Sequence, residues 1–544
     1  MNAAQLMVRC LEAEAPPFIF GVPGEENLDV MDALLDSRLT FIATRHEQGA
    51  AFMCDVQGRL TGKASVCLAT LGPGATNLVT GVADANMDHA PVVAITGQAG
   101  TDRLHKESHQ AMDLLALFRP ITKYNAQVTR GWTVPEIVRK AFKVARTEKY
   151  GATHIDFPED VAEATADGEP LPVQQPLDPA PAPKQLDRAA ALINDARFPL
   201  ILVGNGALRA GACPALGRFV ARTHIPCANT FMAKGALPYT DEHSLLTVGL
   251  QAHDVVSCGF DRADLVLCVG YDLIEYQPQY WNPDRDKKII HLAPTPAEVD
   301  AHYCLAVGIE GGIGPSLDAL GEKISPRDPL GATTKLRRAI LDELDESADD
   351  RAMPLKPQRI LRDVRQVMGP SDILISDVGA HKMWIARLYP ALEPNTCIIS
   401  NGFASMGIAL PGAIGAKLLY PDRRILAVCG DAGFLMNCQE LETAVRAEAA
   451  VVVLIFRDDS YGLIKWKQQV RFGRTSHVDF GNPDFAALAR SFGCRGVRIE
   501  SADELRPALN EAFDADRPTV IDCPVDYREN LKLTEKLGKL VCPI

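Results

Sequence analysis

The chain has 544 residues, more than one ordinary hydrophobic core accommodates, which predicts three domains of roughly 150 to 190 residues. Its formal net charge of −13 argues against a nucleic-acid-binding surface, and 47% hydrophobic, 23% charged and 6% aromatic residues are typical of a globular protein with packed helices and sheets. The 14 cysteines include no CxxC pair, so we expect reduced core residues of a cytoplasmic protein rather than disulfides or zinc ligands.

The first residues show no pattern of export or membrane insertion. Residues 1–12 have the pattern of an amphipathic helix with an acidic end and lack the charged-then-apolar order of a signal peptide. The longest apolar runs, such as 449–456, have about eight residues, far below the roughly 18 that a spanning helix needs. We therefore expect no membrane role.

Apolar strand-like runs alternate with helical segments, which predicts doubly wound α/β domains with parallel sheets. A proline-rich stretch at 169–183 indicates an extended linker, and a charged helix is predicted at 335–350. The predicted domains are 1–168, 184–330 and 353–544, with strands at 18–21, 39–43, 64–69, 92–96 and 154–157 in the first, at 199–203, 265–269 and 289–292 in the second, and at 373–376, 397–399, 425–429, 451–456 and 519–522 in the third.

In the first domain, Glu47 follows a predicted strand and opens a predicted helix in the segment RHEQGAAFM. If apolar neighbours screen this carboxyl group from water, its neutral form is favoured and it can hydrogen-bond a heterocycle as an acid. The alternative is an ordinary first-turn glutamate that the helix dipole stabilises. Taken alone, the residue favours that alternative.

The segment LATLGPGATN places a strand, a Gly-Pro-Gly turn and a helix in succession. Such a turn offers free backbone N–H groups and lets a ligand approach the backbone closely, although turns of this kind also occur for packing alone. Gly72, Pro73, Gly74 and Asn77 are therefore candidate ligand-binding residues.

Three other patterns are near misses. The sequence at 204–209 follows a strand but lacks the third glycine of a dinucleotide fingerprint, which disfavours nicotinamide binding. His105 and His109 have metal-ligand spacing without HExxH order, so we expect polar surface or pocket groups rather than a zinc site. Ser405 lacks the glycine two places earlier that a nucleophile elbow requires, which disfavours serine hydrolysis.

The most informative stretch is 430–462, where two aspartates follow two predicted buried strands. Asp431 follows the strand at 425–429 and Asp458 follows the strand at 451–456, with a helix predicted at 439–448. Because carboxyl ends of adjacent parallel strands lie close together, the two carboxylates can share one cation. Magnesium fits, since it is usually held by one or two carboxylates and phosphate oxygens. The alternative, two turn-forming aspartates, is less favoured when both occur together.

Seven segments carry a colinear pattern: FGVPGEENLDVMDAL from residue 20, RHEQGAAFM from 45, HQAMDLLALFRPITKY from 109, GYDLIEYQPQYWN from 270, DVGAHKMW from 377, SNGFASMGIALPGAIGA from 400 and GDAGF from 430, the last followed by ELETAVR. Together they resemble the thiamine-diphosphate-dependent enzymes of the acetohydroxyacid synthase and pyruvate oxidase group, and within it the catabolic acetolactate synthases. The similarity spans nearly the whole chain.

The resemblance implies a pyrimidine-binding first domain, a central domain and a diphosphate-binding third domain. It implies that Glu47 hydrogen-bonds the aminopyrimidine ring of thiamine diphosphate and that Gln110 faces the substrate. It further implies that Asp431, Asp458 and the backbone carbonyl of Ser460 hold the Mg2+ that anchors the diphosphate. The implied cofactor-binding residues are Gly72, Pro73, Gly74, Asn77, Gly379, His381, Ser405, Met406, Gly430, Ala432, Gly433, Tyr461 and Gly462, with Met406 propping the cofactor in its bent conformation.

Two positions depart from the pattern of the group. The usual Gly-Asp-Gly ends here in Ala432, whose methyl group lies where the backbone nears phosphate and which tolerates a positive φ poorly, so an altered turn is expected. The usual Asn-Asn is Asp458-Asp459, which keeps an oxygen ligand and should leave metal binding intact.

The implied activity is that of a transferase that decarboxylates pyruvate on thiamine diphosphate and joins the enamine to a second pyruvate, giving 2-acetolactate. Two alternatives stay open: a related decarboxylase, carboligase or oxidase for another 2-oxo acid, and a non-catalytic homologue, which the presence of Glu47 disfavours. The resemblance also implies a homodimer or homotetramer whose sites each combine two subunits. FAD in the central domain stays open and is not favoured.

Overall fold

The computed structural model describes residues 1–174, 177–249, 255–347, 349–531 and 542. Over these residues the chain forms three six-stranded sheets, and every pairing between their strands is parallel. Helices connect most of the consecutive strands, because parallel neighbours cannot be joined by tight hairpins. The predicted fold class, three α/β units with parallel sheets, is confirmed.

The first sheet belongs to the amino-terminal part of the chain. Its strands are β1 (Ile19–Gly21), β2 (Phe41–Ala43), β3 (Ser65–Ala69), β4 (Val92–Gln98), β5 (Tyr124–Gln127) and β6 (Ala152–Pro158). The accompanying helices are α1 (Ala3–Glu14), α2 (Leu28–Leu35), α3 (Glu47–Thr61), α4 (Pro73–Met87), α5 (Leu114–Phe118), α6 (Val134–Ala145) and α7 (Glu159–Glu163). The strand order is β2-β1-β3-β4-β6-β5.

The second sheet lies in the middle of the chain. Its strands are β7 (Pro199–Val203), β8 (Cys227–Asn229), β9 (Ser244–Thr247), β10 (Leu265–Val269), β11 (Lys288–Ala293) and β12 (Leu305–Glu310). Its helices are α8 (Pro183–Asp195), α9 (Asn205–Arg209), α10 (Cys213–Thr223), α11 (Ser257–Arg262) and α12 (Ile313–Gly321), and α13 (Gly331–Asp345) leads to the third unit. The strand order is β12-β11-β10-β7-β8-β9.

The third sheet completes the fold. Its strands are β13 (Ile373–Ser376), β14 (Cys397–Ile399), β15 (Ile425–Gly430), β16 (Val452–Arg457), β17 (Arg495–Arg498) and β18 (Thr519–Pro524). Its helices are α14 (Pro357–Val367), α15 (Ala380–Leu388), α16 (Ala409–Leu419), α17 (Asp431–Asn437), α18 (Glu440–Arg446), α19 (Gly462–Phe472), α20 (Phe485–Ser491) and α21 (Leu505–Phe513). The strand order is β14-β13-β15-β16-β18-β17.

Each predicted strand has a counterpart whose ends lie within two residues of the predicted ends. The sequence pattern missed β5, β8, β9, β12 and β17. Four of these, all except β8, are edge strands. The strands β5, β12 and β17 include partly exposed residues, and β8 (CAN) and β9 (SLLT) are short and end in a polar residue, so none of them has the apolar run by which a buried strand is recognised.

The predicted helices at 1–12, 335–350 and 439–448 correspond to α1, α13 and α18. In the described part of the chain, no helix is long and apolar enough to cross a membrane. The domain boundaries predicted at 168, 184, 330 and 353 lie outside the three sheets and stay predictions.

The first and third sheets have the same strand order, with β1 to β6 and β13 to β18 in equivalent places. In the third sheet β13 lies between β14 and β15, so the order reverses beside it. Open α/β sheets bind ligands outside the carboxyl ends of the strands at such a reversal. The carboxyl ends of β13 and β15 therefore mark the place of a candidate site.

The first and third units pack closely through α3 and α16. A Cβ atom added at Gly412 would lie 2.6 Å from Val56 Cγ2, and one added at Gly415 would lie 2.9 Å from the carbonyl oxygen of Met53. Buried residues from both units form one hydrophobic cluster. The two units therefore share a continuous core that tolerates no extra atoms along this helix pair.

Cys258 and Cys542 form a disulfide, so the expectation that the cysteines are all reduced is wrong for this pair. Their Cα atoms are 5.6 Å apart, although the residues are separated by 284 positions in the sequence. Spacing rules relate nearby cysteines and cannot pair two residues that only the tertiary fold brings together. The other 12 cysteines are free, and most of them are buried.

Two glycine substitutions test the close packing of α3 on α16. Gly415→Ala should lower the free energy of unfolding by about 1–3 kcal/mol, because the new methyl group meets the backbone of Met53. Gly217→Ala, in the interior of α10, should leave stability unchanged or raise it by up to about 1 kcal/mol, because its Cβ meets nothing within 4 Å. Thermal unfolding of both variants checks this, and equal melting temperatures would contradict the packing argument.

Candidate active site

The carboxyl ends of β13, β15 and β16 surround a cavity of about 170 Å³. Aligned parallel pairing of β15 with both β13 and β16 brings these strand ends to one edge of the sheet. Most of the residues that the resemblance implies for the diphosphate and the metal line this cavity: Gly379, His381, Met406, Gly430, Asp431, Ala432, Gly433, Asp458, Ser460, Tyr461 and Gly462.

Asp431 is the buried first residue of α17, and its carboxylate organises the turn after β16. Its Oδ2 accepts hydrogen bonds from the backbone N–H of Asp459 at 2.7 Å and of Asp458 at 3.2 Å. Asn482 Nδ2 donates to the same oxygen at 2.9 Å. Two carboxylates that follow separate strands are thus held together at one turn.

Burial raises the pKa of both carboxyl groups. The positive charge near them is therefore too small to compensate for the loss of solvation. For Asp458 the pKa rises to about 7, chiefly through burial; the hydrogen bond from Ser460 Oγ, 2.6 Å from Asp458 Oδ2, lowers it and the neighbouring Asp431 raises it. Burial also raises the pKa of Asp431. A divalent cation between them would favour both ionised forms, because opposite charge stabilises a carboxylate.

His381, near the start of α15, faces the same cavity and is 1% exposed. Its Nε2 atom is buried and has no hydrogen-bond partner among the described residues. Burial lowers the pKa of this imidazole to about 3. A diphosphate oxygen would give the nitrogen a partner, and its negative charge would offset the effect of burial. The unpartnered atom therefore fits a phosphate group.

The segment from Ser400 to Gly407 carries Met406 to the cavity. It bends sharply, since Ala404 has φ 59° and Gly407 has φ 92°. The N–H of Gly407 donates to Asp377 Oδ1 at 2.8 Å, which anchors the end of the segment. The N–H of Ser405 instead donates to Asp84 Oδ1 at 3.2 Å, and Ser405 does not line the cavity.

A second cluster gathers the predicted residues of the first domain. Glu47 is the first residue of α3, is 8% exposed, and accepts a hydrogen bond from Asn77 Nδ2 at 2.9 Å through Oε2. Gly72 has φ 51° before Pro73 and Gly74 open α4, and a Cβ at Gly74 would lie 3.3 Å from Glu47 Oε1. Gln110, an exposed residue with φ 55°, lies against Gly72.

The two clusters do not form one cavity within the chain. The cavity around Asp431 is lined only by residues from 378 to 527, and no described residue of the first unit lines it. The chain therefore contains two half-sites. One has the buried carboxyl group of Glu47 beside the amide of Asn77, and the other has the carboxylate pair of Asp431 and Asp458, which a cation would stabilise.

Three residues of these clusters were not predicted. Asn482 joins Asp431 to Asp459, at 2.9 and 2.7 Å, and stands in no recognisable motif. Tyr527 lines the cavity and packs against Gly462 from beyond the last strand. Glu440 accepts hydrogen bonds from the N–H groups of the turn before Glu47, at 3.0 to 3.2 Å. Only Glu440, within the matching segment ELETAVR, carried a sequence signal.

The altered turn that we expect at Ala432 is not observed. It is the second residue of α17, and its φ is not positive. Helical backbone accepts alanine better than glycine, so the methyl group introduces no backbone strain. The expectation of a strained turn is wrong because it assumed a loop where a helix begins.

The turn after β7 is occupied by a side chain. Both carboxyl oxygens of Glu275 lie 3.0 Å from the N–H of Asn205, at the start of α9. A Cβ at Gly204 would lie 2.8 Å from Glu275 Oε1, and burial raises the pKa of Glu275 to about 8. Glu275 thus occupies the N–H group at the start of α9, and the prediction against nicotinamide binding stays a prediction.

Family models match all three parts of the chain. Residues 1–117 match the thiamine pyrophosphate enzyme N-terminal TPP binding domain, 186–320 the central domain and 377–523 the C-terminal TPP binding domain. The two binding-domain matches contain the two half-sites described above.

Curated relatives match over almost the full length. The chain is 38% identical to the acetolactate synthase of Bacillus subtilis (strain 168), covering 99% of this chain and 96% of that protein. It is 36% identical to the catabolic acetolactate synthase of Raoultella terrigena, covering 98% and 97%. It is 32% identical to the large subunit of acetolactate synthase isozyme 2 of Escherichia coli (strain K12), also covering 98% and 97%.

Replacing Ala432 by glycine tests whether this residue is part of a helix. Ala432→Gly should lower the free energy of unfolding by about 0.5–1 kcal/mol, because glycine loses more conformational freedom in a helix. The affinity for thiamine diphosphate should not change. Thermal unfolding and cofactor titration check both expectations, and tighter cofactor binding by the variant would mean that the methyl group obstructs the diphosphate.

Proposed function

Since this chain belongs to the thiamine pyrophosphate enzymes, and within them to the acetolactate synthases, we propose that it converts two molecules of pyruvate to 2-acetolactate and carbon dioxide. The observation that carries this proposal is the coexistence of a buried Glu47 and a carboxylate pair beside the unpartnered Nε2 atom of His381, in a chain that is 38% identical to such an enzyme over 99% of its length.

The residues of the third domain fit a magnesium diphosphate. Asp431, Asp458 and the carbonyl oxygen of Ser460 offer hard oxygen ligands, and the two carboxylates gain from a cation because burial disfavours their charge. His381 and the backbone near Gly379 would receive the phosphate oxygens. Two carboxylates with phosphate oxygens are the ligand set that Mg2+ prefers.

The residues of the first domain fit the aminopyrimidine ring. Glu47 is buried, and Asn77 holds its carboxyl group in place at 2.9 Å. From that position the carboxyl group would exchange a proton with a ring nitrogen and keep the ring oriented. Gly72, Pro73 and Gly74 bring the backbone close, while Gln110 would face the substrate.

When bound, thiamine diphosphate supplies the electron sink for decarboxylating a 2-oxo acid. The residues of this chain would orient the cofactor. Met406 would hold it in its bent conformation, Asp431 and Asp458 would anchor the diphosphate, and Glu47 would exchange a proton with a nitrogen of the aminopyrimidine ring. Ser405 would act through the backbone of the segment that carries Met406, since its N–H is bonded to Asp84.

The separation of the half-sites supports an assembly of at least two subunits. Because no described residue of the first unit lines the cavity around Asp431, Glu47 of one subunit would complete the cavity of another. We therefore propose a homodimer or homotetramer. A cytoplasmic location is proposed from the 12 free cysteines, with the Cys258–Cys542 disulfide as the observation that counts against it.

Two alternatives remain under this proposal. A related enzyme for another 2-oxo acid would use the same cofactor residues, because the shape of the substrate pocket sets specificity. A non-catalytic homologue has no need of a buried Glu47 bonded to Asn77, so that geometry favours an enzyme. FAD in the central domain stays open and is not favoured, and the visible spectrum of the purified protein decides it.

Product identification tests the proposed activity. Purified protein incubated with pyruvate, thiamine diphosphate and Mg2+ should yield 2-acetolactate and carbon dioxide. Acetaldehyde as the main product would indicate a decarboxylase, and peroxide an oxidase. Cofactor binding without turnover of any 2-oxo acid would indicate the non-catalytic homologue.

Glu47→Gln tests the role of the buried carboxyl group. The variant should lose at least about 100-fold in kcat, because an amide cannot exchange the proton, while its melting temperature stays near that of the wild type. Glu136→Gln is the matched control, since Glu136 is an exposed first-turn glutamate in α6. Wild-type turnover by Glu47→Gln would overturn the assigned role.

Two substitutions of Asp458 test the metal site. Asp458→Asn keeps a carbonyl oxygen and should bind Mg2+ within a few-fold of the wild type, whereas Asp458→Ala should bind about tenfold more weakly or worse. The measurement is the Mg2+ concentration that half-saturates activity at a fixed cofactor concentration. Equal values for the alanine variant and the wild type would remove Asp458 from the ligand set.

A further inference from the structure

The segment that carries Met406 is tied to the first domain by a buried cluster of charges. Four donors of this segment point at two carboxylates, that of Asp84 in α4 and that of Asp88 directly after α4, both 0% exposed. The bonds run from Ser400 Oγ to Asp84 Oδ1 at 2.8 Å, from Ser405 N to Asp84 Oδ1 at 3.2 Å, from Asn401 N to Asp88 Oδ2 at 3.0 Å and from Gly402 N to Asp88 Oδ1 at 2.5 Å.

One guanidinium group holds both carboxylates in this arrangement. Arg59 Nη2 lies 3.0 Å from Asp84 Oδ2 and 2.8 Å from Asp88 Oδ2, while its Nε donates to Asp55 at 2.5 Å. The same guanidinium donates through Nη1 to the carbonyl oxygen of Ile399 at 3.2 Å, where the segment starts. The Arg59 side chain is only 7% exposed. Charges this deeply buried are expensive to separate, so the cluster holds its geometry.

Further bonds anchor both ends of the segment within the third domain. Lys382 Nζ donates to the carbonyl oxygen of Ser400 at 2.9 Å, and Asp377 and Asn437 bind the backbone of Gly407 at 2.8 Å. Phe403 between these anchors is 41% exposed and has no comparable support. The position of Met406 is therefore set by the residues on either side of it. The first domain holds the residues before it, from Ser400 to Ser405.

We propose that Arg59, Asp84 and Asp88 are positioning residues that set Met406 against the cofactor cavity, so that the first domain of each chain controls cofactor binding in the third domain of the same chain. The proposal rests on the proposed function, because Met406 matters only if the cavity holds thiamine diphosphate. The helices α3 and α4 then serve two purposes: Glu47 starts α3 and Asn77 lies in the amino-terminal half of α4, while the carboxyl-terminal parts of both helices and the residue after α4 carry this cluster.

A purely structural role for the cluster makes a different prediction. An interdomain ion cluster that only stabilises the fold would change the melting temperature when broken and leave cofactor affinity unchanged. A positioning cluster would also change cofactor affinity, and it would do so only while Met406 is present to be positioned. Asp88→Asn, with cofactor affinity measured by calorimetric titration at saturating Mg2+, separates the two.

Asp88→Asn should weaken the binding of thiamine diphosphate about tenfold, because an amide cannot accept both N–H groups and the guanidinium. The matched control is Asp363→Asn in α14, which breaks another buried aspartate–arginine pair, with Arg359, remote from the segment. The control should lower the melting temperature and leave cofactor affinity within about twofold of the wild type. Unchanged affinity in Asp88→Asn would overturn the proposal.

A double substitution tests whether the effect passes through Met406. In a Met406→Ala background, Asp88→Asn should weaken cofactor binding by less than about twofold, because the side chain to be positioned is gone. Independent effects, multiplying to the full product of the single variants, would overturn the proposal. If Asp88→Asn fails to fold, Ser400→Ala, which removes one hydrogen bond to Asp84, decides the same question: about threefold weaker binding supports it and unchanged binding overturns it.

These readouts are cofactor affinities, so they are independent of which 2-oxo acid the enzyme uses. If the wild-type protein does not bind thiamine diphosphate, the proposed function fails. If the wild type binds it and Asp88→Asn binds it equally well, only the positioning role fails.

Discussion

Two carboxylates lie buried next to each other at the carboxyl edge of the third sheet, and their negative charge must be compensated. Asp431 and Asp458 lie where burial raises the pKa of each, and the donors that hydrogen-bond to them are backbone N–H groups, Asn482 Nδ2 and Ser460 Oγ rather than a cationic side chain. Such a pair needs a positive charge from outside the chain. The parallel register of β15 and β16, the helix that starts at Asp431 and the neutral His381 fit the metal-bound diphosphate that we propose for this cavity.

The same sheet order occurs in the first and third units, and the chain uses the two copies differently. In the third unit the strand ends gather two carboxylates, for which we propose a cation, whereas the first unit presents Glu47 beside Asn77, for which we propose a heterocycle. The helices α3 and α4 join these tasks, since α3 packs on α16 and Asp84 of α4, with Asp88 directly after it, holds the segment that carries Met406. In the proposed assembly, this interface would link the half-site that a chain offers to its partner with the half-site that it keeps in its own third domain.

The sequence determined most of this arrangement because its main signals are local. Buried parallel strands are apolar runs, so β7, β10, β13 and β14 were predicted at their observed ends, and Asp431 and Asp458 follow directly from the strands before them. Edge strands such as β5 and β17 lack that run. Contacts between residues far apart in the chain left no local trace: the Cys258–Cys542 disulfide, the bonds from Asn482 to Asp431 and the cluster around Arg59 all depend on the tertiary fold. The expectation of a strained turn at Ala432 is wrong because the family pattern suggests a loop at the place where this chain starts a helix.

The central claim is that each active site takes Glu47 from one subunit and Asp431 and Asp458 from another. Co-expression of Glu47→Gln chains with Asp431→Ala chains tests it most directly, because neither variant alone should be active. In a mixed dimer one site would inherit both defects and the other site neither, so random pairing should restore about one quarter of wild-type activity. Restored activity of that size supports the account. If the mixture stays as inactive as its components while mixed dimers form, the two half-sites belong to one chain and the account is wrong.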